Sequence, residues 1–206
     1  METKKIKSVI EILNQEIILA SHSKARAKIL SQFGFSNFSI CPAKILEQFP
    51  KKLKEKPEKI VKFLAEKKAK NVFSKFPDKI ILAADTIVVS HKNQILEKPK
   101  SKSEARKMIL GRSENFEKVM TGFAIFYKNK KICGSKISKI FYHKILEKDV
   151  DFILQREDFK KVCGGISIEK SGGIFVKKIN GDFWNIVGLP IFTVFEKLRK
   201  IFYKLA

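Results

Sequence analysis

Ile80, Ile81, Leu82, Ala83, Ala84, Asp85, Thr86, Ile87, Val88, Val89 and Ser90 form the most apolar stretch of this chain. Its residues are apolar at consecutive positions rather than alternate ones, which suits a strand buried on both faces, as in the parallel part of an α/β sheet. The stretch is too short for a membrane span, which needs about 20 apolar residues. One carboxylate interrupts it. Burying an unpaired carboxylate costs roughly several kcal/mol, so Asp85 must have a lysine, an arginine or a metal beside it. Position alone leaves two readings of Asp85 open: a structural ion pair, and a metal ligand or general base near a strand end.

Outward from this strand, helical and extended patterns alternate. Before it, Ile60, Val61, Leu64, Ala65, Ala69, Val72 and Phe73 recur at helical spacing and predict a helix over Pro57–Phe76. Lys68 continues the column of Ile60 and Leu64, so it must either snorkel or meet a buried anion. Nearer the N-terminus, Glu16–Ala20 predicts a first buried strand, Ser21, His22 and Ser23 a turn, and Lys24–Phe33 a helix stopped by Gly34. Residues 36–41 predict a second strand, and residues 1–15 a short amphipathic helix leading into the fold. After the central stretch, His91, Lys92 and Asn93 predict a turn. Ser101 and Glu104 have capping-box spacing for a helix to Leu110. Lys118–Tyr127 and Lys131–Tyr142 predict two long strands joined at Lys128, Asn129 and Lys130. Residues 147–156 predict a helix, and Gly173–Ile179 a strand ended by Asn180 and Gly181. Pro190 begins a last helix with Ile191, Val194, Phe195, Leu198 and Phe202 as its apolar stripe. This order predicts an α/β fold with a long mixed β-sheet flanked by helices.

The chain has 206 residues, enough to bury a core. Its N-terminus mixes lysines with Glu2 and Glu11 and lacks the apolar core of a signal peptide, which makes the cytoplasm the expected compartment, with no membrane partner. Cys41, Cys133 and Cys163 are odd in number and far apart, with neither a C-x-x-C pair nor a histidine at zinc-ligand spacing, so they are expected to be small buried hydrophobes. The net charge is +22, from 43 Lys and Arg against 21 Asp and Glu. That raises nucleic acid as a partner. Lysine greatly outnumbers arginine, which is the residue for bidentate phosphate and base contacts, and this weighs against it. A nucleotide would benefit from the same positive field.

Five further positions could carry chemistry. Ser21 and Ser23 sit where a strand turns into a helix, a junction that aims backbone N–H groups and the helix dipole at an anion. Arg26 lies on the inward column of Ile29, Leu30 and Phe33, beside that junction. The bland reading keeps one serine as a plain N-cap and pairs Arg26 with a carboxylate. Glu47, in the irregular segment Pro42–Pro50, offers a second carboxylate for a hard divalent cation or is simply solvated. Lys98, followed by Pro99, offers a further cation. Neither a P-loop nor a dinucleotide-binding glycine motif is present.

Taken in order, these segments resemble the Maf family, the septum-formation-inhibitor-like nucleoside triphosphate pyrophosphatases. The matching pieces are Leu19–Arg26, Ala65–Ala69, Ala84–Val89, Leu96–Pro99 and Gly181–Pro190. The resemblance implies a single domain over residues 16–206, preceded by an extension over residues 1–15. It implies two lobes with a central cleft, as in inosine triphosphate pyrophosphatases. The implied activity is hydrolysis of a nucleoside triphosphate, non-standard or modified bases included, to the monophosphate and pyrophosphate with Mg²⁺ or Mn²⁺. Carried over by residue, Asp85, Lys68 and Arg26 are catalytic, Ser21, Ser23 and Lys98 bind phosphate, and Glu47 and Asp85 hold the metal. Ala25, Thr86 and Glu169 are implied to choose the base. Thr86 matches the dTTP/UTP-type members, Glu169 stands where those have Gln and resembles the 7-methyl-GTP branch, and Ala25 matches neither. Leu46 stands where the family has an Asp. A basic nucleic-acid-binding module and a decayed, cell-division-linked regulator on the same fold remain the alternatives, and a homodimer is compatible with the family.

Overall fold

The structure is a computed structural model, and it describes residues 8–203. Its elements are α1 (Val9–Leu13), β1 (Ile17–Leu19), α2 (Lys24–Gln32), β2 (Phe38–Ile40), α3 (Pro57–Phe73), β3 (Ile80–Ser90), β4 (Ile95–Leu96), α4 (Lys102–Leu110), β5 (Phe116–Tyr127), β6 (Lys130–Tyr142), α5 (Glu147–Arg156), β7 (Val176–Asn180), α6 (Phe183–Val187) and α7 (Ile191–Tyr203), with short 3₁₀ turns between some of them. The strands form one mixed seven-stranded sheet in the order β2-β1-β3-β5-β6-β7, with β4 paired to β3. β1 is parallel to both β2 and β3, whereas β3/β4 and β6/β7 are antiparallel. The fold is therefore the mixed-sheet α/β arrangement expected. Among the described residues, no helix is long and apolar enough to cross a membrane.

The chain divides into two compact units. The first comprises residues 1–85, 121–136 and 184–206, and the second residues 86–120 and 137–183. In the first unit the period of two along β3 sorts side chains onto two cores. Ile80, Leu82 and Ala84 join Ile17, Leu19, Ile29, Leu30, Val194 and Leu198 on one face. Ile81 and Ala83 join Ile18, Ala20, Ala65, Ala69 and Val72 on the other, the face covered by α3. The next residue of that second series is Asp85. Helix α3 lies close to the sheet because Gly122 of β5 has no side chain: a Cβ there would fall 2.3 Å from the Val61 carbonyl. In the second unit, Ala105 and Ile109 of α4 and Val150 and Ile153 of α5 are fully buried. Arg106 ties the same two helices together at the surface through Glu147, at 2.8 Å, and Asp151.

Several expectations need correction. The predicted strand at 173–179 starts only at Val176, because residues 171–175 form a 3₁₀ turn. Gly172 and Gly173 pack so tightly on Ile166 and Ile168 that any Cβ would clash, at 2.2 and 2.4 Å, and the backbone curls instead of extending. Helix α3 stops at Phe73, where Ser74 caps it, rather than at Phe76. Ser101 does accept the Glu104 N–H at 3.1 Å, but the Glu104 carboxylate bonds the Lys100 N–H at 2.7 Å, so the box is not reciprocal. The reciprocal box is at Ser8 and Glu11, opening α1. Helix α1 covers only Val9–Leu13, and residues 1–7 of that predicted segment lie outside the described ones. Helix α6 was not expected at all. The three cysteines are free and half-buried rather than buried.

Candidate active site

Parallel strands carry the candidate site. β1 and β3 pair in register, Leu19 opposite Leu82, and their parallel pairing ends there, with the Ala20 N–H on the Leu82 carbonyl at 2.8 Å, while β3 runs on to Ser90. β2 also ends level with Leu19, with the Cys41 N–H on the Leu19 carbonyl at 3.0 Å. The carboxyl ends of parallel strands are the ordinary place for ligands in an open α/β sheet. Ser21 follows β1, Glu47 lies on the segment after β2, and Asp85 lies beyond Leu82 on β3.

Asp85 has the neighbour its burial demands. It is only 7% exposed, and its Oδ1 lies 2.6 Å from Nζ of Lys68, itself 9% exposed. Lys68 belongs to the buried stripe of α3, so the helical period of its neighbours brings it onto the strand face where Asp85 points. The same Nζ lies 2.7 Å from Oε1 of Glu47. Glu47 is well exposed at its side chain, 61%, so its pair with Lys68 contributes little to stability. Two bonds fasten its segment to α3: Lys67 Nζ donates to the Leu46 carbonyl at 2.9 Å, and the Lys44 N–H donates to Asn71 Oδ1 at 3.0 Å. Two carboxylates thus converge on one ammonium. The three groups together carry a formal charge of −1 and present hard oxygen donors to a common point, a donor set that fits Mg²⁺ or Mn²⁺ completed by water or phosphate.

The first unit also holds a set of hydroxyl and guanidinium groups after β1. Ser23 is the N-cap of α2 and accepts the Arg26 N–H at 3.4 Å. Arg26 turns inward, 9% exposed, as its column predicts. Its Nη1 donates to Ser21 Oγ at 2.9 Å, and its Nε donates to the Gly188 carbonyl at 2.9 Å. Ser21 Oγ also accepts the Ser23 N–H at 3.2 Å. With two donors already on its oxygen, the Ser21 hydroxyl has its own hydrogen left to give. Gly188 is the contribution sequence reasoning missed. Its one signal within Gly181–Pro190 is a glycine ahead of Leu189 and Pro190, here at φ +117°.

Ser21, Ser23, Ala25, Arg26, Glu47, Lys68 and Asp85 all belong to the first unit. The structure brings Asp85, Lys68 and Glu47 into direct contact, and joins Ser21, Ser23 and Arg26. Thr86, Lys98 and Glu169 belong to the second unit. Lys98 and Glu169 are exposed, Lys98 just after β4 and Glu169 on the turn before residues 171–175.

Comparison with known proteins adds an independent finding. A family model described as Maf-like protein matches residues 16–201. The dTTP/UTP pyrophosphatase of Pyrococcus furiosus is 36% identical over 195 residues, covering 91% of this chain and 100% of that protein. A dTTP/UTP pyrophosphatase of Pyrococcus abyssi is 37% identical, covering 89% of this chain and 95% of that one. That of Cytophaga hutchinsonii is 34% identical, covering 92% and 85%.

Proposed function

We propose that this chain, which belongs to the Maf-like family, is a nucleoside triphosphate pyrophosphatase that converts its substrate to the monophosphate and pyrophosphate, with dTTP and UTP as the first substrates to try. The observation that carries this reading is the Lys68 ammonium held between Glu47, after β2, and Asp85, on β3 just past its parallel pairing with β1. The relatives' names and Thr86 support the choice of base.

In this reading a divalent cation on Glu47 and Asp85 would supply positive charge to the phosphate oxygens. The chain's own groups do the rest. Asp85 accepts a proton from the water that attacks the α-phosphorus. The α–β bridging oxygen leaves with the electron pair, and pyrophosphate departs. Lys68, released from one carboxylate, answers the charge that gathers on the leaving group. Arg26 holds the Ser21 hydroxyl with its hydrogen outward, so Ser21 donates to a phosphate oxygen. Ser23 and the first N–H groups of α2 add a positive dipole end. Lys98 serves the phosphates, while Ala25, Thr86 and Glu169 face the choice of base. The proposed setting is a single domain after the short extension, in the cytoplasm, with a homodimer compatible with the family.

A panel of standard and modified nucleoside triphosphates with Mg²⁺ or Mn²⁺, with products separated by ion-exchange chromatography, tests the reading. Equal amounts of monophosphate and pyrophosphate are expected. Release of single phosphates, or no turnover of any nucleotide, contradicts it. Turnover also excludes the decayed regulator.

A further inference from the structure

The second unit contains a buried ion pair that the proposed chemistry does not use. Arg112 is 3% exposed, Glu117 4% and Tyr142 2%. Arg112 Nε donates to Glu117 Oε2 at 2.7 Å, and the Tyr142 hydroxyl donates to Glu117 Oε1 at 2.7 Å. Arg112 Nη1 donates to two backbone carbonyls, those of Met108 at 2.8 Å and Gly164 at 2.9 Å. The planar guanidinium fork is therefore fixed by a carboxylate on one edge and by backbone on another.

What the fork holds matters more than the pair itself. Gly164 is held on both sides: its carbonyl by Arg112, and its N–H by the Glu97 carbonyl at 2.8 Å. Gly164 has φ +72°, and a Cβ there would fall 2.0 Å from Arg112 Nη2, so only glycine lets the guanidinium lie flat on the chain. Gly165, at φ +79°, packs on Pro99, where an added Cβ would meet Pro99 Cγ at 3.3 Å. Glu97 and Pro99 flank Lys98. The chain that leaves Gly165 runs directly to Glu169, whose N–H bonds Ser167 Oγ at 3.3 Å. Gly164 and Gly165 thus join the segment bearing Lys98 to the segment bearing Glu169, and the Arg112 guanidinium fixes Gly164 in that junction.

Stability alone does not account for this choice. Well-packed apolar residues often replace a buried ion pair without loss. Here Arg112 Nη2 is buried with no hydrogen-bond partner among the described residues. A buried donor left without an acceptor is rare and calls for an explanation.

We propose that Arg112, oriented by Glu117 and Tyr142, is a positioning residue. Through the Gly164 peptide it holds Lys98 and Glu169 in one mutual arrangement, and so sets how tightly and how selectively the nucleotide is bound, without touching it. The proposal rests on the reading that Lys98 and Glu169 engage the nucleotide.

The test uses the full-length protein and compares Arg112→Met, Arg112→Lys and Glu117→Gln with Lys98→Ala and Glu169→Ala. KM, kcat and the ratio of kcat/KM between two nucleobases are measured, with the folded fraction determined by circular dichroism. In folded Arg112→Met, KM is expected to rise about tenfold with kcat within about threefold, and the base ratio to fall toward one. Arg112→Lys keeps the charge but not the fork, and is expected to restore neither KM nor the ratio. Glu117→Gln keeps the volume while loosening the fork, and is expected to raise KM by about threefold. It serves as the deciding variant if Arg112→Met does not fold. A merely structural role would lower the folded fraction and leave KM and the base ratio of the remaining enzyme at wild-type values, which overturns the proposal. If Lys98→Ala and Glu169→Ala themselves leave KM and the ratio unchanged, the underlying reading of those residues fails. If they shift both while the Arg112 and Glu117 variants shift neither, only the positioning role fails.

Discussion

At the scale of single residues, Lys68 is the pivot. Its ammonium neutralises a buried carboxylate in the absence of other cations, and the sequence alone could place it only in a stripe where a lysine must snorkel or meet an anion. The structure chooses the anion: the ion pair with Asp85 is real, and the proposed metal role of Asp85 adds to it. Lys68→Met should therefore leave the Asp85 carboxylate buried and uncompensated, at a cost of about 3 kcal/mol. Millimolar Mg²⁺ should return part of that stability, and do so more strongly for the variant than for the wild type, because the cation no longer competes with the ammonium. Urea denaturation with and without Mg²⁺ measures both effects; equal stabilisation of the two proteins would argue against a metal at Glu47 and Asp85. Cys133 shows the opposite situation, a titratable group without a task. Burial, reinforced by Glu66, pushes its thiol up to about 11. At pH 8 only roughly a thousandth of it is thiolate, so iodoacetamide should leave Cys133 unmodified while the pH stays well below 11, as mass spectrometry would reveal.

At the scale of elements, the close seat of α3 on the sheet decides whether Lys68 reaches Asp85. Gly122 sets that distance, because any side chain there runs into the backbone at Val61 and Lys62 rather than into a movable side chain. Gly122→Ala should cost about 2–3 kcal/mol in urea unfolding and should lower kcat in the folded fraction, since α3 must back away from Asp85. Loss of stability with kcat untouched would mean the helix tolerates displacement without disturbing the site. Much of this level was legible in the sequence. The consecutive apolar run of β3 announced a strand buried on both faces, the stripe of α3 announced its inward side, and the order of segments announced a mixed sheet. What escaped was written in close approaches rather than in patterns. No periodicity marks the glycines at 172 and 173 that turn a predicted strand into a 3₁₀ turn. Helix α6 is too short to show a helical period. Arg112 and Glu117 look like surface charges in sequence, and only the tertiary structure buries them together. The carbonyl of Gly188 carries no side-chain signal at all.

For the whole molecule, the net charge of +22 is the dominant feature. A field of that sign raises the encounter rate with a polyanionic nucleotide and is screened by salt over a Debye length of about 10 Å at 0.1 M. Between about 20 and about 200 mM salt, kcat/KM should fall by roughly an order of magnitude while kcat holds nearly constant. A basic nucleic-acid-binding module would instead show tight, steeply salt-dependent binding to DNA or RNA and no turnover. The claim on which the rest depends is that Asp85 does chemistry and does not merely neutralise Lys68. The most direct measurement is pyrophosphate release from dTTP or UTP with Mg²⁺ by the wild type and by Asp85→Asn, a substitution that keeps the size and a hydrogen bond to Lys68. Turnover by the wild type is expected, with a loss of at least about 10²-fold in kcat for a variant that remains folded. Asp85→Asn that releases pyrophosphate at the wild-type rate would contradict that claim.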